Sequence, residues 1–218
     1  MQSLLEKLFE EARRTGLAVG ESVWFSSPHF GNVSLLRWIE TQGFQPLKNR
    51  HNEDFVSELR PQSRKAAHPL SLSATTGLGE QPMHTDGAHL RDAPDFVLLW
   101  SEEKNATSTR VWEPKRIPQA AQNGIFVVFN GKERWLTQAH SLGKIRFDPG
   151  CMSPADKSAM ELSRILIDSP EKEIEHIHWD VEGKIVIIDN KRLLHGRSSI
   201  SEGDEGRHLK RLAVRVNR

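Results

Sequence analysis

The chain has no tyrosine, one cysteine, only 7% aromatic residues and almost no net charge: thirty Lys and Arg stand against twenty-nine Asp and Glu. Each shortage excludes something. The lone Cys151 cannot close an internal disulfide, so a reduced, cytoplasmic protein is expected and not a secreted disulfide scaffold. Its surroundings, "RFDPGCMSP", hold no histidine to activate the thiol. A formal charge of +1 supplies no global field toward nucleic acid or an anionic membrane, and neither is expected as a partner. No apolar run approaches the roughly 18 residues of a membrane-spanning helix. The first residues carry three glutamates, unlike a signal or transit peptide.

What is present is ordinary for a globular protein: 37% apolar and 27% charged residues in 218. That length buries a substantial core, and one domain over residues 1–218 is expected. "MQSLLEKLFEEARR" places Leu4, Leu5, Leu8, Phe9 and Ala12 at helical spacing, ending at Thr15 and Gly16. "SVWFS" (22–26) reads as a strand, and a second helix is expected over 33–42 with Asn32 as cap and Gly43 past its end. Residues 44–80 are polar and irregular.

Strand patterns then crowd together: "DFVLLW" (95–100), "TRVW" (109–112), "GIFVVFNGKERWLT" (124–137) with a hairpin signal at Asn130-Gly131, and "GKIRF" (143–147). One helix interrupts, with Ser153 as its cap, Pro154 in the first position and Ala155, Ala159, Leu162 and Leu166 on one face. Strands resume at 173–179, 184–189, 192–197 and 207–216. Many short strands with few helices predict a mainly β fold with flanking helices around a double-stranded β-helix, the jelly-roll or cupin-like core.

His84 and Asp86 in "QPMHTDGAHL" stand two apart, so a strand turns both toward one side. Ten histidines and ten aspartates in 218 residues give about 0.5 such pairs by chance, so the spacing alone is weak. A second pair exists, His178 and Asp180, within a continuous strand and with only 38 residues after it. After His84, by contrast, 111 positions of mostly strand pattern lead to His195 in "LLHGR". That separation allows return to the opposite wall of a barrel, completing two histidines and a carboxylate. Near the C-terminus Arg207, Arg211 and Arg215 share a strand face. Either that face is exposed, or an arginine points inward to clamp a carboxylate.

In combination "HTDGAH", "STRVW", "GKIVIIDNKRLLHGRSS" and "RHLKR", over residues 71–216, the sequence resembles the iron(II)/2-oxoglutarate dioxygenases of the taurine dioxygenase and clavaminate synthase-like superfamily. The resemblance implies iron bound by His84, Asp86 and His195, with 2-oxoglutarate as cosubstrate and O2 as oxidant. It implies that Arg207 pairs with the distal carboxylate of 2-oxoglutarate, that Thr109 (or alternatively Thr107) hydrogen-bonds the same group, and that Arg211 contacts cosubstrate or an anionic substrate. The implied activity is oxidative decarboxylation coupled to oxidation of a small polar metabolite, such as an amino acid or natural-product intermediate, with hydroxylation as the default outcome.

Two rival classes share the ligand set: a cupin-like zinc hydrolase and a non-catalytic metal-sensing barrel. Around the motif, His89 is expected outside the ion's reach, Asp189 and Asn190 are read as a tight turn, and the six tryptophans as packing residues. Ser71, Ser73 and Thr75 read as polar loop or pocket wall. Oligomeric state is not legible.

Overall fold

The computed structural model describes residues 2–27, 32–49 and 54–217. The chain opens with α1 (Gln2–Thr15), β1 (Leu17–Glu21), α2 (Val23–Ser26), α3 (Asn32–Thr41), β2 (Phe44–Leu47), β3 (Val56–Leu59) and α4 (Ser73–Thr76). Then follow β4 (Phe96–Trp100), β5 (Asn105–Trp112), α5 (Gln119–Gln122), β6 (Ile125–Phe129), β7 (Arg134–Gln138), β8 (His140–Ser141), β9 (Lys144–Ile145), β10 (Met152–Pro154) and α6 (Lys157–Ile167). Four strands complete it: β11 (Glu175–Trp179), β12 (Lys184–Asp189), β13 (Leu194–Arg197) and β14 (Leu209–Val216).

The major sheet runs β1-β12-β4-β14-β2, and β14 also pairs with β3. Its register explains why β4 reads as an unbroken apolar run. Phe96, Leu98 and Trp100 face α1 and α3, in the core that includes Leu5, Phe9 and Trp38. Val97 and Leu99 face inward, with Val111, Ile177 and Trp179. A strand covered on both sides loses the polar alternation of a half-exposed one. The inward residues of β4 and β12 meet those of a second sheet, β11-β5-β13, and this pair of antiparallel sheets is the expected jelly-roll core. A third sheet, β10-β6-β7, packs with α6 around Phe126, Val128 and Leu162.

Three local expectations fail for identifiable reasons. Residues 23–26 are helical, not extended: Ser22 caps them by accepting from the Trp24 amide at 3.3 Å. The preceding segment makes the strand instead, pairing Leu17–Glu21 with β12. Turning at Ser22 aims Phe25 at Trp100 (ring centroids 5.9 Å apart) and leaves Trp24 exposed, so not every tryptophan packs. The cap of α6 is Asp156, whose carboxylate accepts from the Ala159 and Ile125 amides. Ser153 and Pro154 pair with β6 as an edge strand, where a residue without N–H is tolerated. Ala155 therefore lies outside the helix. Finally, the irregular 44–80 contains β2 and β3, which divide one edge of β14 between them. Four-residue strands are too short for their period to register.

α3 lies near its expected bounds with Asn32 as its first residue instead of its cap, and β5 begins at Asn105, four residues before the expected start. α1 buries Leu5, Leu8, Phe9 and Ala12. The β6–β7 hairpin turns through residues 130–133, with Asn130 Oδ1 accepting from the Lys132 and Glu133 amides and Gly131 at φ +91°. No described helix is long and apolar enough to cross a membrane.

Candidate metal centre

His84 and His195 face each other across an isolated antiparallel bridge, exchanging backbone hydrogen bonds of 2.9 and 2.8 Å. The bridge adds residue 84 to the edge of the second sheet, beside β13. Asp86 lies two residues on, and its Oδ1 is 3.8 Å from Nε2 of each histidine. Potential ligand atoms of all three residues lie within 4.8 Å of one another. Among the described residues this is the one such group of three or more.

Each residue of "HTD" is held by a different part of the chain. His84 Nδ1 donates to the Pro82 carbonyl at 3.0 Å, which leaves Nε2 without a proton and able to bind a cation. Thr85 is bonded to Phe147 through its amide and its hydroxyl. Asp86 is gripped by Asn190, whose Oδ1 accepts from the Asp86 amide (2.8 Å) while its Nδ2 donates to the Asp86 carbonyl (3.0 Å). Gly87 follows at φ +65°, and a Cβ there would stand 2.7 Å from Pro94 Cδ. The turn behind Asp86 thus needs glycine twice over, for conformation and for space.

Burial alone would push the Asp86 carboxyl up. The Arg211 guanidinium, 3.1 Å from Oδ1, together with His195 and His84, outweighs burial and holds it far below the usual carboxylate range. Burial, then His195, lowers His84 below the ordinary histidine value, so the ring favours the neutral, ligating form. Asp86 Oδ2 is buried with no hydrogen-bond partner. A buried, ionised oxygen without a donor fits a cation, and two imidazoles with one carboxylate suit iron(II).

The centre opens into a cleft of about 1380 Å³. Arg207 lines it, 6% exposed, with Nε donating to Asn105 Oδ1 at 2.9 Å and no ion pair among the described residues. Burial, then the neighbouring Arg197, lowers its pKa to about 10. Asp204 acts on it electrostatically without forming an ion pair, so the guanidinium keeps room for an anion. Thr109 also lines the cleft, and its Oγ1 accepts the Trp179 indole N–H at 3.0 Å, which leaves the hydroxyl proton to donate. Thr107 does not line the cleft; its Oγ1 accepts from the Ser201 amide. Arg211 lines the cleft too, but its guanidinium is turned onto Asp86.

The remaining candidates lie outside the ligand cluster, although His89, Ser71 and Ser73 line the cleft. His178 and Asp180 are exposed, and Asp180 pairs with Lys184. His89 bonds the Asn49 carbonyl. Ser71 and Ser73 line the cleft and Thr75 does not. Asn190 was legible only as a turn residue, because nothing in sequence points to a partner 104 positions away. Arg197 stood in "LLHGR" unremarked; it donates to the carbonyls of Gly77, Leu78 and Gly79 and ties that loop to β13.

No protein-family model and no curated protein matches the chain. Solved structures do. Asparagine oxygenase in complex with Fe(II), 2S,3S-3-hydroxyasparagine and succinate superposes with a TM-score of 0.74 at 16% identity, covering 99% of this chain and 80% of that one. The non-heme iron oxygenase OrfP with Fe, succinate and (3S)-hydroxy-L-Arg gives 0.72 at 19%, over 99% and 80%. OrfP with Fe and alpha-ketoglutaric acid gives 0.68 at 20%, over 100% and 79%. The described part of the chain has the fold of these oxygenases.

Proposed function

We propose that this protein is an iron(II)- and 2-oxoglutarate-dependent oxygenase that oxidises, by hydroxylation as the default, a small polar metabolite of the amino-acid kind. The observation that carries the reading is the conjunction of a largely buried His84–Asp86–His195 cluster with a buried arginine, Arg207, that faces the same cleft and makes no ion pair among the described residues. A hydrolase needs the first and has no use for the second. The shared fold supports it, since the asparagine oxygenase and OrfP structures hold iron with succinate or alpha-ketoglutaric acid.

In this reading His84 Nε2, Asp86 and His195 hold the metal, and Arg207 receives the distal carboxylate of 2-oxoglutarate. Arg207 pairs with that carboxylate, and Thr109, oriented by Trp179, donates to it. Asn190 and Gly87 keep Asp86 in place, and Arg211 balances its charge. When bound, iron with 2-oxoglutarate and O2 supplies the oxidising power, releasing succinate and CO2. The β4, β5 and β14 walls of the cleft orient the substrate beside it.

Anaerobic addition of iron(II) and 2-oxoglutarate is expected to give a visible charge-transfer band. His195→Ala is expected to abolish it. Arg207→Ala is expected to weaken 2-oxoglutarate binding by about 10- to 100-fold, the loss of a charge-assisted hydrogen bond contributing on the order of 1.5–3 kcal/mol. Absence of the band in the wild type overturns the reading, and unchanged affinity in Arg207→Ala removes that residue's role.

A further inference from the structure

Strand β5 is irregular where it meets β11. Between the pairs Trp179–Asn105 and Ile177–Thr109 the chain advances two residues on β11 and four on β5. The surplus takes Thr107 out of the ladder with β11: its amide donates to Asp204 Oδ2 at 2.9 Å and its Oγ1 accepts from the Ser201 amide at 3.1 Å. Bulges of this kind re-aim side chains and are frequent beside active sites. The loop gripped here is the one that ends at Arg207, whose own amide donates to the Asp204 carbonyl at 2.9 Å. Thr107, which does not line the cleft, thus fixes the backbone that carries the cleft's arginine.

Asn105, at the start of the same strand, fixes the arginine's side chain. Its Oδ1 accepts from Arg207 Nε at 2.9 Å, the one side-chain hydrogen bond that Arg207 makes among the described residues. The Asn105 amide cannot turn over without loss. Its Nδ2 donates to Ser101 Oγ at 3.3 Å, and the Ser101 hydroxyl donates to the carbonyl of His208, next to Arg207, at 3.2 Å. Held through Nε, the guanidinium has its plane set while both Nη groups keep their protons for a bidentate partner. Its charge is kept free as well. Asp204 is the carboxylate whose field reaches Arg207, and its Oδ2 is occupied by the Thr107 amide. Arg197 directs both Nη groups to the carbonyls of residues 77–79 and 198, so it adds charge at this end of the cleft but no fork for a carboxylate.

We propose that Asn105 is the positioning residue of the cosubstrate site: a neutral acceptor that orients Arg207 through Nε and leaves its charge and its Nη fork to the distal carboxylate. Selection of a dicarboxylic over a monocarboxylic 2-oxo acid then depends on residue 105 being neutral. An aspartate of the same shape there would give Arg207 an internal counter-ion, which an incoming carboxylate would have to displace. The proposal rests on the oxygenase reading, and its test keeps the two apart.

Wild type, Asn105→Asp and Asn105→Ala are loaded anaerobically with iron(II) and titrated with 2-oxoglutarate and with 2-oxopentanoate, following the charge-transfer band. The second acid has the same chain length and lacks the distal carboxylate. Wild type is expected to prefer 2-oxoglutarate by about 10- to 100-fold, the worth of a charge-assisted hydrogen bond. In Asn105→Asp most of that preference is expected to vanish, through weaker 2-oxoglutarate binding with iron(II) and 2-oxopentanoate binding unchanged. Asn105→Ala, which frees Nε without adding charge, is expected to lose roughly 3- to 10-fold on 2-oxoglutarate alone. A merely structural role would weaken iron(II) binding, or both acids alike. That result, or a preference that survives unchanged in the variants, overturns the proposal while the oxygenase reading stands. Absence of the band with 2-oxoglutarate in wild type removes the reading itself.

Discussion

Asn190 grips both polar groups of the Asp86 backbone and also donates to the Pro94 carbonyl at 3.1 Å. In Asn190→Ala those buried groups lose their partner, at a cost of about 1–3 kcal/mol, and the carboxylate ligand loses its support. Metal affinity is expected to fall roughly 10- to 100-fold, as for other residues that orient ligands, read by titrating the metal-free protein with iron(II) or cobalt(II). Unchanged affinity would show that the ligand strand holds its own shape. Gly87→Ala tests the same turn from the other side. A side chain at φ +65° with Cβ 2.7 Å from Pro94 Cδ is expected to destabilise the fold by more than about 1 kcal/mol, measured by urea unfolding of the metal-free protein.

Within β4, adjacent residues serve different ends. Leu98 faces the helices and Leu99 faces the cleft. Leu98→Ala is expected to cost about 2–5 kcal/mol of stability, the usual range for a buried leucine, with 2-oxoglutarate affinity unchanged. A matching loss of affinity would mean that the sheet does not insulate the site from its outer core. The pattern of β4 was readable because a strand buried on both faces is apolar throughout, and α1 because its stripe repeats over fourteen residues. That His84, Asp86 and His195 come together was expected from the combination of motifs that carries the resemblance; the two-residue spacing alone is too common to single them out. Residues 22–26 were not: their β-branched and aromatic composition favours a strand, and the Ser22 cap with its bond to Gly183 decides otherwise. Nor was Asn190, whose job exists only once β12 brings it beside the ligand strand.

For the molecule as a whole, the partly buried histidines His84 and His208 contribute to how the metal-free fold responds to acid. His84 is lowered below the ordinary value of 6.5 by burial and then by His195. His208 is lowered by burial and then by Arg60, with Glu58 and Glu102 opposing and Lys210 adding to it. Between the lowered folded values and 6.5 the unfolded chain binds more protons than the folded one. These groups therefore contribute their full stability above that pH, and it is lost as the pH falls toward the folded values. Urea unfolding in the presence of a chelator is expected to show stability falling steadily from pH 7 to pH 5. His208→Gln is expected to make the fall shallower without affecting metal binding, since residue 208 lies outside the ligand set. Bound metal adds its own linkage, about 2.7 kcal/mol at a hundredfold excess over Kd, and loses it in the same direction as protons compete for His84 and His195. The loss on acidification should thus be steeper with metal than without. A profile that is flat in the metal-free protein would mean that the folded state accepts the protons, and that His84 is not held in its neutral, ligating form.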